Sequence, residues 1–205
     1  DCEIVFGGGR SFIRDLDSLT PDYDLLDWSI YKYHVIPNST LGSLSTSRGC
    51  SESCSFCSQQ KFWRRTWRGV SHGKFEKLAR ELTDKHGANV ILIPDERPTT
   101  DRGRWEEILD RMIGLKKDVH FLIETTVVDI IRDADILSKY RQAGIIHIYV
   151  GVEAAGQDRL DDYNKKLSVA ESREALNLIN AAGIVSETSF VLGMPDETPE
   201  SVAFT

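Results

Sequence analysis

The chain has 205 residues, 40% hydrophobic and 28% charged, with 25 basic residues against 32 acidic ones and a net charge of −7. That composition is ordinary for a globular protein; it excludes a disordered tail, a disulfide-dense mini-scaffold and a surface that binds nucleic acid through bulk charge. The longest apolar runs, such as Val90–Pro94 and Phe190–Leu192, fall far short of a membrane span, and no basic start followed by an apolar stretch signals secretion.

The chain opens on CEIVF, which reads as a buried strand, and then GGGR, where Gly7–Gly9 suits a turn, a linker or a junction. Residues 11–40 carry few periodic signals. Pro21, Asp22 and Asp24 mark a turn-rich connector, and Leu25, Leu26, Trp28, Tyr31 and Tyr33 give it apolar surface to lie against a domain. From Leu41 a repeating pattern begins. Strand-like runs at Leu41–Thr46, Asn89–Pro94, Val119–Glu124, Ile145–Glu153 and Glu187–Leu192 alternate with helix-like segments at 73–86, 102–115, 130–143 and 169–182. Gly87, Gly144 and Gly183 each follow a helix and suit a left-handed C-terminal cap. TPES near the end reads as a helix start, with Thr198 or Ser201 as cap and Pro199 in the first turn. A helix that starts just before Thr205, and a chain that opens directly into a strand, lead us to expect a protein cut at both ends.

Strands alternating with helices imply right-handed crossovers and a parallel sheet. The choice lies between a doubly wound sheet, whose ligands gather at one switch point, and part of a (βα) barrel, whose sites collect at the carboxyl ends of several strands. Polar clusters end nearly every strand here, at Ser47–Cys57, Asp95–Thr100, Glu124–Thr126, Glu153–Gln157 and Gly193–Glu197. Five such ends favour an α/β fold of the partial (βα) barrel type.

Cys50, Cys54 and Cys57 lie within eight residues, with Cys2 far upstream. This is no disulfide framework, and a reducing, cytoplasmic setting is expected. Zinc calls for a fourth ligand, and none stands at a suitable spacing; a redox pair of Cys54 and Cys57 leaves Cys50 unexplained. Three thiolates on one short loop suit a [4Fe–4S] cluster with one iron left open, and zinc and the redox pair remain the alternatives. The five histidines, His34, His72, His86, His120 and His147, are scattered and read as structural. Directly after the loop, Lys61–Arg68 reads KFWRRTWR. On a helix, Trp63 would stack with Trp67 and Arg64 with Arg68. The segment suits a nucleic-acid surface, a pocket wall for a flat anionic substrate, or an amphipathic piece with packed tryptophans and solvated arginines.

CSESCSFC resembles the CxxxCxφC motif of radical SAM enzymes, with Phe56 as the aromatic residue before the last cysteine. The resemblance implies that Cys50, Cys54 and Cys57 hold a [4Fe–4S] cluster whose open iron binds S-adenosylmethionine, and that one electron cleaves the sulfonium to a 5′-deoxyadenosyl radical. It implies a full or partial (βα) barrel. It also assigns the methionine end to Asp95 and Glu96 in ILIPDERPTTD, a departure from the common GGE form, the ribose to Glu153 in YVGVEAAGQ, and the adenine to the turn at Gly193 and Pro195. Glu124 and Thr126 share that position with no counterpart in the family. A strand-end carboxylate is in isolation more often a cap or a surface salt bridge.

The longer stretch from DYDLLDWSIYKY through CSQQKFW..TWRG and DERPT to ETSFVLGMPDETPES resembles the anaerobic magnesium-protoporphyrin IX monomethyl ester oxidative cyclases, cobalamin-dependent radical SAM enzymes of bacteriochlorophyll biosynthesis. This implies a cobalamin-binding domain upstream, of which residues 1–10 would be a remnant although its DxHxxG signature is absent, a connector over 11–40 and an incomplete barrel over 41–205. It implies a magnesium-porphyrin substrate whose propionate-derived side chain loses hydrogen, with a keto oxygen taken from water. A low-potential electron donor such as ferredoxin or flavodoxin is implied too. Trp63, Arg64, Trp67 and Arg68 are then candidates to contact the porphyrin. The alternatives are another cobalamin-dependent enzyme, such as a C-methyltransferase, and an RNA-directed protein using Lys61–Arg68, which the net charge disfavours.

Overall fold

The computed structural model describes residues 7–115 and 118–205; Cys2 and the CEIVF run lie outside them. The described strands are β1 (Leu41–Ser43), β2 (Ser47–Arg48), β3 (Arg68–Gly69), β4 (Val90–Ile93), β5 (His120–Thr126), β6 (Ile145–Glu153) and β7 (Val185–Phe190). The helices are α1 (Gln59–Phe62), α2 (His72–Arg80), α3 (Arg102–Gly114), α4 (Val127–Arg132), α5 (Leu137–Gln142), α6 (Gln157–Asp162), α7 (Val169–Ala181) and α8 (Pro199–Phe204).

Local chemistry sets most of these boundaries. Ser71, Asp101, Thr126, Ser168 and Thr198 each precede a helix, and each side chain accepts a hydrogen bond from the backbone N–H three residues on. Each such cap is worth about 1 kcal/mol. At the other ends Gly87, Gly144 and Gly183 stand at φ +68°, +87° and +72°, the left-handed conformation expected of them.

Five strands form one parallel sheet in the order β1-β4-β5-β6-β7, with Leu41 opposite Val90, Val90 opposite His120 and His147 opposite Val185. β2 and β3 make a separate antiparallel ribbon. Chain order and sheet order coincide, with no reversal that would create a switch point. The sheet is therefore an arc of a (βα) barrel rather than a doubly wound sheet. α2 and α3 press Phe75, Leu78, Trp105, Ile108 and Leu109 into one core with Ile91, Ile93, Phe121 and Ile123. Burying each of these side chains contributes about 1.5–3 kcal/mol.

Three expectations need correction. The segment 130–143 is not one helix: α4 starts earlier, at Val127, and a 3-10 turn at Ala134–Ile136 separates it from α5. Asp133 stands at the break at φ −97° and ψ 14°, outside helical geometry, with its buried carboxylate accepting from Arg132 and from the Tyr140 hydroxyl at 2.7 Å. In the connector, Leu25 and Leu26 are exposed; Leu16 and Tyr23 are buried instead, and Trp28 stacks on His86 at 4.8 Å. After the cysteine loop, α1 ends at Phe62, and Arg64 and Arg65 take φ +51° and +54°. The chain then enters β3, so the Trp63–Trp67 and Arg64–Arg68 helical pairs do not form. Among the described residues, no helix is long and apolar enough to cross a membrane.

Candidate active site

The cysteine loop leaves the carboxyl end of β1 through β2 and returns in α1. A loop this polar needs partners for its backbone, and it finds them in distant elements. On one side the Gly49 N–H donates to Glu96 Oε2 at 3.2 Å, just past β4. On the other, the Ser55 N–H donates to the Tyr163 carbonyl at 2.8 Å, and Asn164 Nδ2 donates to the Ser53 carbonyl at 2.9 Å. Within the loop, Gln60 Nε2 donates to the Cys54 carbonyl at 2.7 Å. Glu52 is gripped by Arg97, whose other two nitrogens fork onto Asp129 at 2.7 Å each. Asp129 also accepts from Thr99 at 2.6 Å and Arg132 at 3.0 Å, so a buried charged network ties the loop to α4.

Held in this way, Cys50, Cys54 and Cys57 border a cavity of about 320 Å³ over the carboxyl ends of β4, β5 and β6. All three thiols are free. Among the described residues no three His, Cys, Asp or Glu side chains converge closely enough to hold a single metal ion. Three thiols from one loop around an open cavity fit a multi-iron cluster better than a tetrahedral zinc site. Burial pushes the Cys50 and Cys54 thiols up; Arg97 opposes that at Cys50 and Lys165 at Cys54.

The rest of the wall mixes acids, cations and apolar surface. Phe56 lines it, its ring edge-on to Tyr163 at 5.1 Å. Glu153 closes β6 at φ +70°, after a register shift between Gly151 and Glu153. Its Oε1 accepts from Lys165 at 2.7 Å and its Oε2 from Ser189 at 3.3 Å. A side chain at Gly151 would collide with that carboxylate. Glu124 also faces the cavity, and burial raises its pKa, helped by Glu96 and Glu187.

The residues expected at the site divide into two groups. Cys50, Cys54, Cys57, Phe56, Glu96 and Glu153 share the cavity wall; Asp95, Gly193, Pro195, Trp63, Arg64, Trp67 and Arg68 are not part of it. Asp95 is buried beneath the loop, where it accepts from the Thr46 N–H at 2.9 Å, the Thr46 hydroxyl at 2.6 Å and the Ser47 hydroxyl at 3.0 Å. Glu96 lines the cavity, but Oε1 accepts from Trp63 Nε1 at 2.6 Å and Oε2 is taken by Gly49. Gly193, at φ +92°, turns the chain after β7, and its N–H and that of Met194 donate to Glu197; Pro195 is exposed beside them. Trp67 Nε1 donates to the Arg97 carbonyl at 3.0 Å, with Arg104 over its ring. Thus the two tryptophans are packed, in keeping with the amphipathic reading and not with a wall of this cavity.

Sequence reasoning missed Glu52, Arg97, Tyr149, Gly151, Lys165 and Lys166. Two adjacent lysines in the short NKKLS stretch after α6, a connection on the same face as the strand ends, were the available signal for the last pair.

A family model described as the Radical SAM superfamily matches residues 44–205. The anaerobic magnesium-protoporphyrin IX monomethyl ester cyclase of Cereibacter sphaeroides is 39% identical over 98% of this chain and 33% of its own length. The cyclase of the same name from Rubrivivax gelatinosus is 38% identical over 98% of this chain and 36% of its own length. The chain therefore spans about a third of the curated relatives it matches. Among solved structures, the cobalamin-dependent S-adenosylmethionine radical enzyme OxsB, with aqua-cobalamin and S-adenosylmethionine bound, superposes with a TM-score of 0.67. The match covers 79% of this chain and 26% of that one at 24% identity, a likeness of fold.

Proposed function

The chain belongs to the radical SAM superfamily, and from that premise we propose that it is the barrel portion of an anaerobic oxidative cyclase that closes the isocyclic ring on magnesium-protoporphyrin IX monomethyl ester. The observation that carries this reading is the 39% identity to a cyclase spread over 98% of the chain, well beyond the cysteine motif. Cys50, Cys54 and Cys57 are the proposed ligands of the [4Fe–4S] cluster that the family implies. When bound, the cluster and S-adenosylmethionine supply the radical chemistry. The chain's own residues position and shield it. Phe56, Val128, Tyr149 and Leu167 give the cavity its apolar surface. Glu153, fixed by Lys165 and Ser189, presents a carboxylate to the ribose of S-adenosylmethionine. Asp95 and Glu96 act through the cysteine loop they hold. The turn at Gly193 and Pro195, at the carboxyl end of β7, keeps its proposed place beside the adenine. A cobalamin site belongs to this reading as a property of the whole protein, as does a low-potential electron donor.

The test is anaerobic incubation of the whole protein to which this barrel portion is proposed to belong, cluster-loaded, with S-adenosylmethionine, cobalamin, reductant and the porphyrin ester, followed by absorption and mass spectrometry. A product that has gained a ring ketone supports the cyclase. A methylated product turns the reading to a C-methyltransferase, and an unchanged porphyrin alongside normal cleavage of S-adenosylmethionine sinks it.

A further inference from the structure

The basic segment after the cysteine loop takes no part in the cavity, yet its charges are gathered rather than scattered. Arg64 and Arg68 lie over the Phe12 ring at 5.3 and 4.6 Å. Arg68 is the register partner of Arg48 across β2 and β3, so two like charges stand opposite each other, an arrangement that destabilises a ribbon. Burial and Arg48 together pull the Arg68 guanidinium pKa down, and its Nε and Nη2 are buried with no hydrogen-bond partner. Lys61 and Arg65 belong to the same tight turn, closed by Arg64 N–H to the Lys61 carbonyl at 3.3 Å and Arg65 N–H to the Gln60 carbonyl at 3.1 Å. The strip before Asp15 lies alongside: the Ile13 carbonyl accepts from Arg68 at 2.9 Å, and the ideal Cβ position at Gly9 is 3.4 Å from Arg64 Nη2. That strip adds Arg10 and Arg14.

None of these seven cations forms an ion pair with an acidic side chain among the described residues, and all but Arg68 are exposed. In a chain of net charge −7 this is a segregated patch, unlike Arg97 and Lys165, whose charges are spent on Asp129, Glu52 and Glu153. It adjoins the cysteine loop. α1 starts two residues past Cys57 and contains Lys61, and Trp63 touches the cavity through Glu96. Phe62, 65% exposed, and Ile13, 49% exposed, supply apolar surface within the patch.

We infer that this face is the docking surface for a small acidic one-electron carrier protein. The inference rests on the superfamily assignment and not on the cyclase reading. Superfamily chemistry draws one electron from outside for each cleavage; the carrier is oxidised by one equivalent, the cluster is reduced by one, and no bond is made between the proteins. Charge complementarity steers such encounters and leaves a short-lived complex, with a few apolar contacts fixing orientation. A nucleic acid fits less well. The Trp63 ring is packed against Phe12, Phe62 and Arg68, and Arg104 lies over the Trp67 ring, so neither tryptophan stands free to stack on a base.

The experiment uses cluster-loaded protein and reduced flavodoxin, an acidic flavoprotein, as the probe. The rate of cluster reduction, followed by its visible absorbance, is compared with that of the R48E/K61E/R65E variant over a range of salt. The variant should be reduced about tenfold more slowly at low salt and lose most of the salt dependence. Iron content, and reduction by photoexcited deazariboflavin, a small uncharged donor, should be unchanged. Its Kd for oxidised flavodoxin should rise in step. An unaltered flavodoxin rate in the variant overturns the inference, and so does a steeply salt-dependent affinity of the parent protein for single-stranded RNA that the variant loses while flavodoxin reduction is unaffected. Neither readout involves the porphyrin, so failure of the cyclase reading would leave this test standing.

Discussion

Gly49 stands immediately before Cys50, the first of the three proposed cluster ligands, at φ +100°, and a methyl group there would penetrate the Thr66 carbonyl oxygen. Both the left-handed backbone and the close approach exclude a side chain, so Gly49→Ala should cost about 1–3 kcal/mol and shift the loop. The expected result is a lower unfolding temperature together with reduced iron content after reconstitution; normal iron content would show that the loop tolerates the shift. Asp95 poses a different question, because burial lifts its carboxyl from 3.8 to about 6 despite the donors around it. A folded value above the unfolded one means that the native state binds the proton more readily. The group therefore contributes stability that is full below about pH 4 and is lost as pH rises through about 6. Relative to Asp95→Asn, the parent protein should gain up to about 1.4 kcal/mol per pH unit on acidification across that window. Urea midpoints of the two proteins between pH 4 and pH 6 provide the check, and a constant difference would mean an unshifted carboxyl.

At the level of elements, the cysteine loop owes its shape to its neighbours. Glu96 and Arg97 follow β4, Asp129 lies on α4, and Tyr163 and Asn164 follow α6. Arg97 is the joint among them, since it grips Glu52 and Asp129 at once. Removing it leaves the buried Asp129 carboxylate with only Arg132 and nearby donors, so Arg97→Met should destabilise the fold by about 3 kcal/mol or more. Part of that cost comes from the stranded charge, so Asp129→Asn in the Arg97→Met background should recover some of it. A double-mutant cycle should return a coupling of about 1–3 kcal/mol; additive losses would show that the two groups act independently.

Across the whole molecule, the proposed cluster ligands lie apart from the apolar core among the described residues. The three thiols sit on one loop, while Phe75, Trp105, Phe121, Tyr140 and Tyr163 are fully buried beneath the sheet and helices. Reconstituted protein should bind about four irons per chain. Cys54→Ala should lose them, and Cys2→Ala should keep them. The variant lacking all three loop cysteines should retain the far-UV circular dichroism of the parent and a cooperative transition, with new proteolytic cleavage confined to residues 49–58. Global unfolding of that variant would show that the metal, not the apolar core, holds the barrel together.

The sequence by itself determined the alternation of strands and helices, the helix caps and C-terminal glycines, and the three-thiol loop, because each is written in residues a few positions apart. β6 follows its apolar pattern from Ile145 to Glu153, and α7 begins where Ser168 and Glu171 form a capping box. Only the tertiary structure decided what the polar residues between them do. Asp95 and Glu153 look alike as strand-end carboxylates, yet one is buried under Thr46 and Ser47 while the other faces the cavity with Lys165. KFWRRTWR reads as a helix because every local cue allows one. The chain turns instead, Trp63 reaching Glu96 and Trp67 reaching the Arg97 backbone across the fold. Asn164 and Ser53 meet across 111 residues. Hydrogen bonds and charges are satisfied by whichever partner packing brings near, and no short-range pattern names a partner that far along the chain.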